Sequence, residues 1–350
     1  MSKAYNIYNN RLEFFDVAKE YDNYYRGGER SLYDNRFGKE KIIPRENQVI
    51  VESFKRIYKK LETKIRKNEK FIFRIMDFGC GNGRLFPIID NLSQNFNINI
   101  ELIAYDASLV GLELFQKNLE SKGYKKIENI FLNNFKMKDH TLSFLVKNNL
   151  SIRLVHANTH DESNHIINIF DEPIHFIFSF YSVFGHILKR QNRLNILKSL
   201  KATMHPKGEI IINVCTRRSV SKQLEVYDNL REQYKAAILK DDKTQSEFIK
   251  KNLMLATEAG DFYKVVYDNI RTIHLYGHAY TSKELLEDFT TANLIPKKVK
   301  IISIEQPYAL SRSRVLRFVD TILSTLLSLN IYPFFDVSKF SKNIYVIGRK

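Results

Sequence analysis

The sequence predicts an α/β fold, a mostly parallel sheet with helices on both faces. Apolar runs of strand length recur at 71–79, 98–106, 151–158, 174–180 and 208–215. Segments of helical periodicity separate several of them, and strands that alternate with helices imply parallel pairing through crossovers. The composition allows a core of the required size: 350 residues, 44% hydrophobic and 13% aromatic.

Each element follows from its own pattern. FIFRIMDFG (71–79) is a short apolar run ending in Asp and Gly, as a buried strand does. RLFPIIDNLSQ starts a helix, with Pro87 restricted to its first turn. INIELIAYD (98–106) is a second strand ending in an acid. ASLVGLELFQKNLESKG (107–123) is amphipathic and stops at Gly123, with Asp106 placed to cap it. Residues 124–150 fit no single pattern. SIRLVHAN (151–158), IHFIFSF (174–180) and GEIIINVC (208–215) supply three more strands, with helical NRLNILKSLKATM between the last two. Residues 216–271 are polar with helical periodicity and read as an insertion over the site. SKELLEDFTTANL (282–294) is an amphipathic helix with a capping-box pattern starting at Ser282, and KKVKIISIEQ and NIYVIGRK are late strands. VLRFVDTILSTLLSLNIYPFF (315–335) is the most apolar stretch, but Arg317 and Asp320 favour a packed helix over contact with a lipid surface.

The stretch IMDFGCGNGRL (75–85) stands out because glycine at alternate positions weakens any regular element. A loop that lets backbone approach a ligand is the better setting. A dinucleotide fingerprint needs a third glycine for close helix packing around a pyrophosphate, and Arg84 stands where that glycine is wanted. The actual spacing is Asp77-x-Gly79-x-Gly81-x-Gly83. It resembles motif I of the class I S-adenosylmethionine-dependent methyltransferases, and other segments resemble that family in order: Asp106 at the end of the second strand, FSFYSVFGHI (178–187) after the fourth, MHPKGEIIINV (204–214) at the fifth, and LYGHAYTSKELLEDFTTANLIPKKVKII (275–302) late in the chain.

The resemblance covers roughly 44–215 and 272–350 and implies a Rossmann-like fold with a mostly parallel seven-stranded sheet. It implies a core at 44–215, an N-terminal lid at 1–43, a helical cap at 216–271 and the rest of the core at 272–350. The implied cofactor is S-adenosyl-L-methionine. Asp77, Gly79, Gly81 and Gly83 would hold its methionine part, Asp106 its ribose hydroxyls, Ala107 and Asn158 its adenine, and Phe180 would stand near the methyl group. Asn158 departs from the Asp usual in the family, and Lys207 replaces a glycine of the fifth-strand signature. Tyr181, His186 and His278 are the candidates for acceptor chemistry, a general base being needed only if the acceptor must lose a proton. The tyrosines and arginines of YDNYYRGGER (21–30) are placed to close over cofactor or acceptor.

Other classes are weaker. The net charge of +16 permits nucleic acid, and the densest basic patch is KRIYKKLETKIRKNEK (55–70), but the excess is spread along the chain and Ile57, Leu61 and Ile65 mark that patch as a helix with one buried face. A small-molecule acceptor is favoured over tRNA or another RNA. A silent binding module of the same fold would have little need for the intact glycine loop and Asp106. His156, His160 and His165 follow a strand rather than a zinc-binding helix, so no metal is expected. The two cysteines, Cys80 and Cys215, are far apart, and neither an uncharged membrane-length run nor an apolar leader is present; a reducing cytoplasm is the expected setting. The acceptor atom and the oligomeric state stay open at this level.

Overall fold

A computed structural model describes residues 17–26, 44–68, 70–127, 140–157, 172–187, 189–225, 228, 253–267, 272–297, 299–303, 315, 318–319, 322–323, 336–339 and 341–350. In chain order the elements are α1 (Val17–Tyr25), α2 (Pro44–Lys67), β1 (Ile72–Phe78), α3 (Phe86–Phe96), β2 (Asn99–Asp106), α4 (Leu109–Ser121), β3 (Lys125–Lys126), β4 (Thr141–Lys147), β5 (Leu150–His156) and β6 (Ile174–Ser179). A 3₁₀ turn at Val183–His186 leads to α5 (Arg190–Thr203) and β7 (Met204–Cys215). Then come β8 (Leu253–Ala256), β9 (Asp261–Tyr267), β10 (Thr272–His278), α6 (Ser282–Thr291), β11 (Ile295–Pro296), β12 (Lys300–Ser303) and β13 (Asn343–Arg349).

The main sheet runs β11-β13-β7-β6-β1-β2-β5-β4-β3, with β12 also on β13. β5, β2, β1, β6 and β7 are parallel, and β13 is antiparallel between β7 and its edge partners. This is a Rossmann-like arrangement. Chain order reverses between β1 and β6, and a parallel sheet opens a crevice beyond its strand ends at such a point.

Among the described residues the sheet has ten strands rather than the expected seven. One edge strand is split into β11 and β12, and residues 124–150, which matched no single pattern, add β3 and β4. Asn148 and Asn149 turn β4 back onto β5, and Asn148 takes the left-handed φ of 51° that asparagine tolerates.

Both faces of the sheet are buried, as expected of near-continuous apolar strands. Phe73 and Ile75 of β1 join one core with Ile50, Phe54, Ile57 and Leu61 of α2, so the apolar stripe of the basic helix packs inward. Met76 and Phe78 point to the other core, with Leu197, Leu200, Leu285 and Phe289 of α5 and α6.

Three local expectations change. Ser108, not Asp106, caps α4, its Oγ accepting from Gly111 N at 3.0 Å. The capping box of α6 belongs to Thr281 with Glu284, because only that pair has the three-residue spacing in which each side chain meets the other's backbone N–H. Residues 217–225 are helical, but 253–256 and 261–267, expected in the same helical insertion, are strands. They pair with β10 as a separate three-stranded antiparallel sheet, so 272–278, expected within the core region 272–350, belongs to this second sheet. DFYKVVY and TIHLYGH are β-branched and aromatic, and this preference outweighs the polar residues around them.

The described residues of the apolar stretch near 315–335 are helical at 315, 318, 319, 322 and 323, and they do not pack. Val315 and Phe318 are 69% and 65% exposed, and Val319, Ile322 and Leu323 are also exposed. Arg317 and Asp320 lie outside the described residues. Among the described residues no helix is long and apolar enough to cross a membrane.

Candidate functional site

The glycine loop leaves β1 at the point where strand order reverses. Gly79, Gly81 and Gly83 have φ of 83°, 54° and 80°, a region that residues with a Cβ enter at a cost. Space is equally restrictive. A Cβ on Gly79 would lie 2.3 Å from Val183 Cγ1, and one on Gly81 would lie 2.1 Å from Tyr25 Oη. The amides of Gly79 and Cys80 donate to Tyr105 O at 2.8 and 3.1 Å, fastening the loop to the end of β2.

Asp106 completes the attachment. Its Oδ2 accepts from Gly81 N and its Oδ1 from Ser108 N, each at 2.7 Å. Burial raises its pKa, and these two amides oppose the shift by stabilising the carboxylate. Asp106 and Ala107 line a hollow with Tyr105, Gly79 and Ile187. A larger cleft adjoins it, lined by Asp77, Gly79, Phe180, Tyr181 and Asn213 among others, and the two spaces share Tyr21, Tyr25, Gly79, Val183 and His186. Cys80 and Cys215 line the cleft, with burial holding both thiols above their usual pKa.

Asp77 is buried in the cleft wall and its pKa rises to about 8, chiefly by desolvation, with Arg84 opposing and Asp106 and Glu46 adding to the shift. Arg84 Nη1 pairs with Glu46 Oε2 at 2.8 Å, and its guanidinium lies 3.9 Å from the Tyr181 ring centroid. Tyr181 and Ser182 both have left-handed φ, 63° and 59°. Non-glycine residues in that region cost of order 1–3 kcal/mol each and persist where surroundings hold them. Here Arg84 covers the Tyr181 ring, and Asn213 Oδ1 accepts from Ser182 N at 3.4 Å.

His186 follows in the 3₁₀ turn, at the boundary of the two spaces. Its Nδ1 is 2.5 Å from Tyr276 O. A carbonyl only accepts, so Nδ1 carries the proton and Nε2 is left with the lone pair. Burial lowers its pKa, which keeps the ring neutral. The rings of Tyr21 and Phe262 stand edge-on to it, at 5.7 and 6.2 Å between centroids.

His278 is placed differently. It pairs with Asp261 Oδ1 at 2.8 Å, stands edge-on to Tyr280, and lines neither space. Asn158, His160 and His165 lie outside the described residues, and His156 Nε2 meets Ala107 O at 3.1 Å. Gly81 and Gly83 shape the loop from behind, Gly83 against the Phe115 ring.

Tyr21, Tyr24 and Tyr25 of the N-terminal stretch line the cleft. In α1, Tyr21 and Tyr25 face both spaces, Asp22 Oδ1 accepts from Ser108 Oγ at 2.7 Å and Val110 N at 3.1 Å, and Glu20 Oε2 accepts from His274 N at 2.9 Å. One short helix thereby joins the start of α4 to the second sheet. Arg30 lies outside the described residues. Sequence reasoning missed Glu46, Arg84 and Lys264. The signal for Arg84 was present, a charged residue directly after the glycines.

The basic stretch of α2 has a different destination. Arg56, Lys60, Lys297 and Arg349 converge on the buried carboxylate of Glu209 at 2.8, 3.4, 3.5 and 3.1 Å, nearer the N-terminal ends of the strands.

No protein-family profile and no curated protein matches the sequence. Solved structures do align with it. A S-adenosylmethionine-dependent methyltransferase from Clostridium acetobutylicum aligns at 12% identity over 91% of this chain and 96% of its own, with a TM-score of 0.47. The plantazolicin methyltransferase BamL, in complex with a triazolic desmethylPZN analog and SAH, aligns at 14% identity over 95% and 94%, with a TM-score of 0.45. The CcbJ methyltransferase from Streptomyces caelestis aligns at 10% identity over 79% and 82%, with a TM-score of 0.42.

Proposed function

We propose that the protein is an S-adenosylmethionine-dependent methyltransferase acting on a small molecule that loses a proton on methylation. The observation that carries the reading is the tie between Gly81 N and Asp106 Oδ2 at the strand-order reversal, which brings the glycine loop and the second-strand acid into one cradle. The residues present fit the cofactor. The glycines let the loop turn where a Cβ would collide with Val183, Tyr25 or Phe115, Asp106 is an acceptor suited to ribose hydroxyls, Asp77 is a carboxyl suited to an ammonium, and Ala107 and Ile187 offer apolar contact to a base.

S-adenosylmethionine supplies a methyl group already activated by its sulfonium. The chain's part is to align the acceptor and exclude water, worth several orders of magnitude in effective concentration. His186 accepts the acceptor's proton at Nε2, with Tyr276 O holding the ring in the required tautomer. Phe180 and Tyr181 form the wall beside the transfer position.

A roofed cleft favours a small acceptor over RNA. α1 and the second sheet stand above it, and the best-defined cationic cluster is engaged with Glu209 near the other strand ends. The deciding experiment is transfer of labelled methyl from S-adenosylmethionine into cell extract separated into small-molecule, RNA and protein pools. Label in the small-molecule pool is expected, and label confined to RNA overturns the acceptor assignment. Absence of calorimetric binding of S-adenosylhomocysteine to the wild-type protein removes the enzyme reading altogether.

A further inference from the structure

Large apolar side chains that stand singly on a protein surface need no explanation, whereas a cluster of them does. Among the described residues seven are exposed, and five of these, Val315, Phe318, Val319, Ile322 and Leu323, fall within nine consecutive positions. All five are helical and each is at least 40% exposed. Their spacing is i, i+3, i+4, i+7 and i+8, the stripe by which a helix ordinarily joins a core. Here the stripe is in contact with water and belongs to neither core of the main sheet. Covering it removes apolar area from water, so the favoured occupant is itself apolar along the width of the stripe.

Charge selects that occupant. From 306 to 335 the sequence has three arginines, Arg312, Arg314 and Arg317, against one acid, Asp320, and the whole chain is +16. A second copy would bring the same positive charge to the same face, and like charges oppose that association. A surface that is apolar inside and anionic at its boundary meets both requirements. We infer that this helix face attaches the protein to an anionic lipid surface, its five apolar side chains entering the interface and the positive charge of the stretch being drawn to the headgroups. Among the described residues no helix is long and apolar enough to cross a membrane, so the attachment is peripheral. It concerns location and does not depend on the methyltransferase reading.

The test is co-sedimentation of the full chain with phosphatidylcholine vesicles that contain or lack about one third phosphatidylglycerol, at about 0.15 M salt. Wild type should bind the anionic vesicles at least about tenfold more tightly than the neutral ones. A protein this basic also adheres to anionic lipid by charge alone, so the deciding variants keep the charge. Phe318→Ser with Leu323→Ser should weaken binding to anionic vesicles by at least about tenfold, because two large apolar side chains no longer enter the interface. Val315→Ser with Ile322→Ser should act in the same direction, and it carries the test if circular dichroism shows the first variant unfolded. Failure of wild type to bind anionic vesicles, equal binding to both kinds of vesicle, or undiminished binding by a folded variant overturns the proposal, the last because charge alone then accounts for adhesion. Self-association of wild type in analytical ultracentrifugation that either variant abolishes overturns it as well, by assigning the face to a second copy.

Discussion

Gly81 and Asp106 are joined by a 2.7 Å hydrogen bond from the backbone amide of the first to Oδ2 of the second. The glycine loop is thus positioned by the same carboxylate that is proposed to receive the ribose hydroxyls. Asp106→Ala removes both functions. Hydrogen bonds to a charged group contribute about 1.5–3 kcal/mol, so S-adenosylhomocysteine should bind roughly ten- to a hundredfold more weakly. Calorimetry checks this, and an unchanged dissociation constant means that the cofactor does not use the end of β2.

Asp77 ties cofactor binding to pH. With its pKa raised from 3.8 to about 8, its carboxyl is mostly neutral at pH 7 in the free protein. An ammonium brought beside it favours the ionised form, so binding releases a proton below about pH 8 and apparent affinity rises with pH up to that value. Stability has the opposite slope. The folded state holds a proton that the unfolded state has lost between those two pKa values, so the contribution is full below about pH 4 and is lost as pH rises through about 8. Asp77→Asn should flatten both profiles. Calorimetry in buffers of different ionisation enthalpy and denaturation midpoints across pH 5–9 read the two effects.

The Glu46–Arg84 pair lies in the cleft wall, with side chains only 1% and 5% exposed. Arg84→Met leaves the Glu46 carboxylate buried without that cation and removes the cover over Tyr181. Breaking a buried pair on one side costs about 3–5 kcal/mol, whereas replacing both members with apolar residues is often neutral. Urea denaturation should show a large loss for Arg84→Met and recovery of much of it in Glu46→Met with Arg84→Met. Equal losses in the single and double variants contradict this account.

The parallel core was legible because its strands are buried on both faces and its helices are amphipathic; each signal is local. Asp77, the glycines and Asp106 were legible for the same reason, since spacing within a loop and the last residue of a strand are properties of short segments. The second sheet was not, because 253–267 follow a long polar stretch of helical pattern and read as its continuation, although only four residues separate β9 from β10. Removal of 216–270 would take from β10 the partner that supplies its ladder. His186 and His278 look alike in sequence, each a histidine preceded by glycine. Only the fold separates them, by turning one to Tyr276 O at the edge of the cleft and the other to Asp261 away from it.

His186 is the residue on which the chemistry of the acceptor can be decided. Its Nδ1 is committed to Tyr276 O and burial holds its pKa below 6.5, so a neutral base remains available at pH values where an exposed histidine would be partly protonated. If the acceptor loses its proton to Nε2, His186→Gln should lower turnover by about 10²–10⁴-fold, the usual contribution of a general base, while S-adenosylhomocysteine still binds. The acid limb of the wild-type rate profile should fall below pH 6.5 and disappear in the variant. Labelled-methyl transfer from pH 5 to 8, measured beside calorimetric binding, reads both quantities. Turnover that survives in His186→Gln with its pH profile unaltered shows that the acceptor needs no base, and the site then acts by alignment alone.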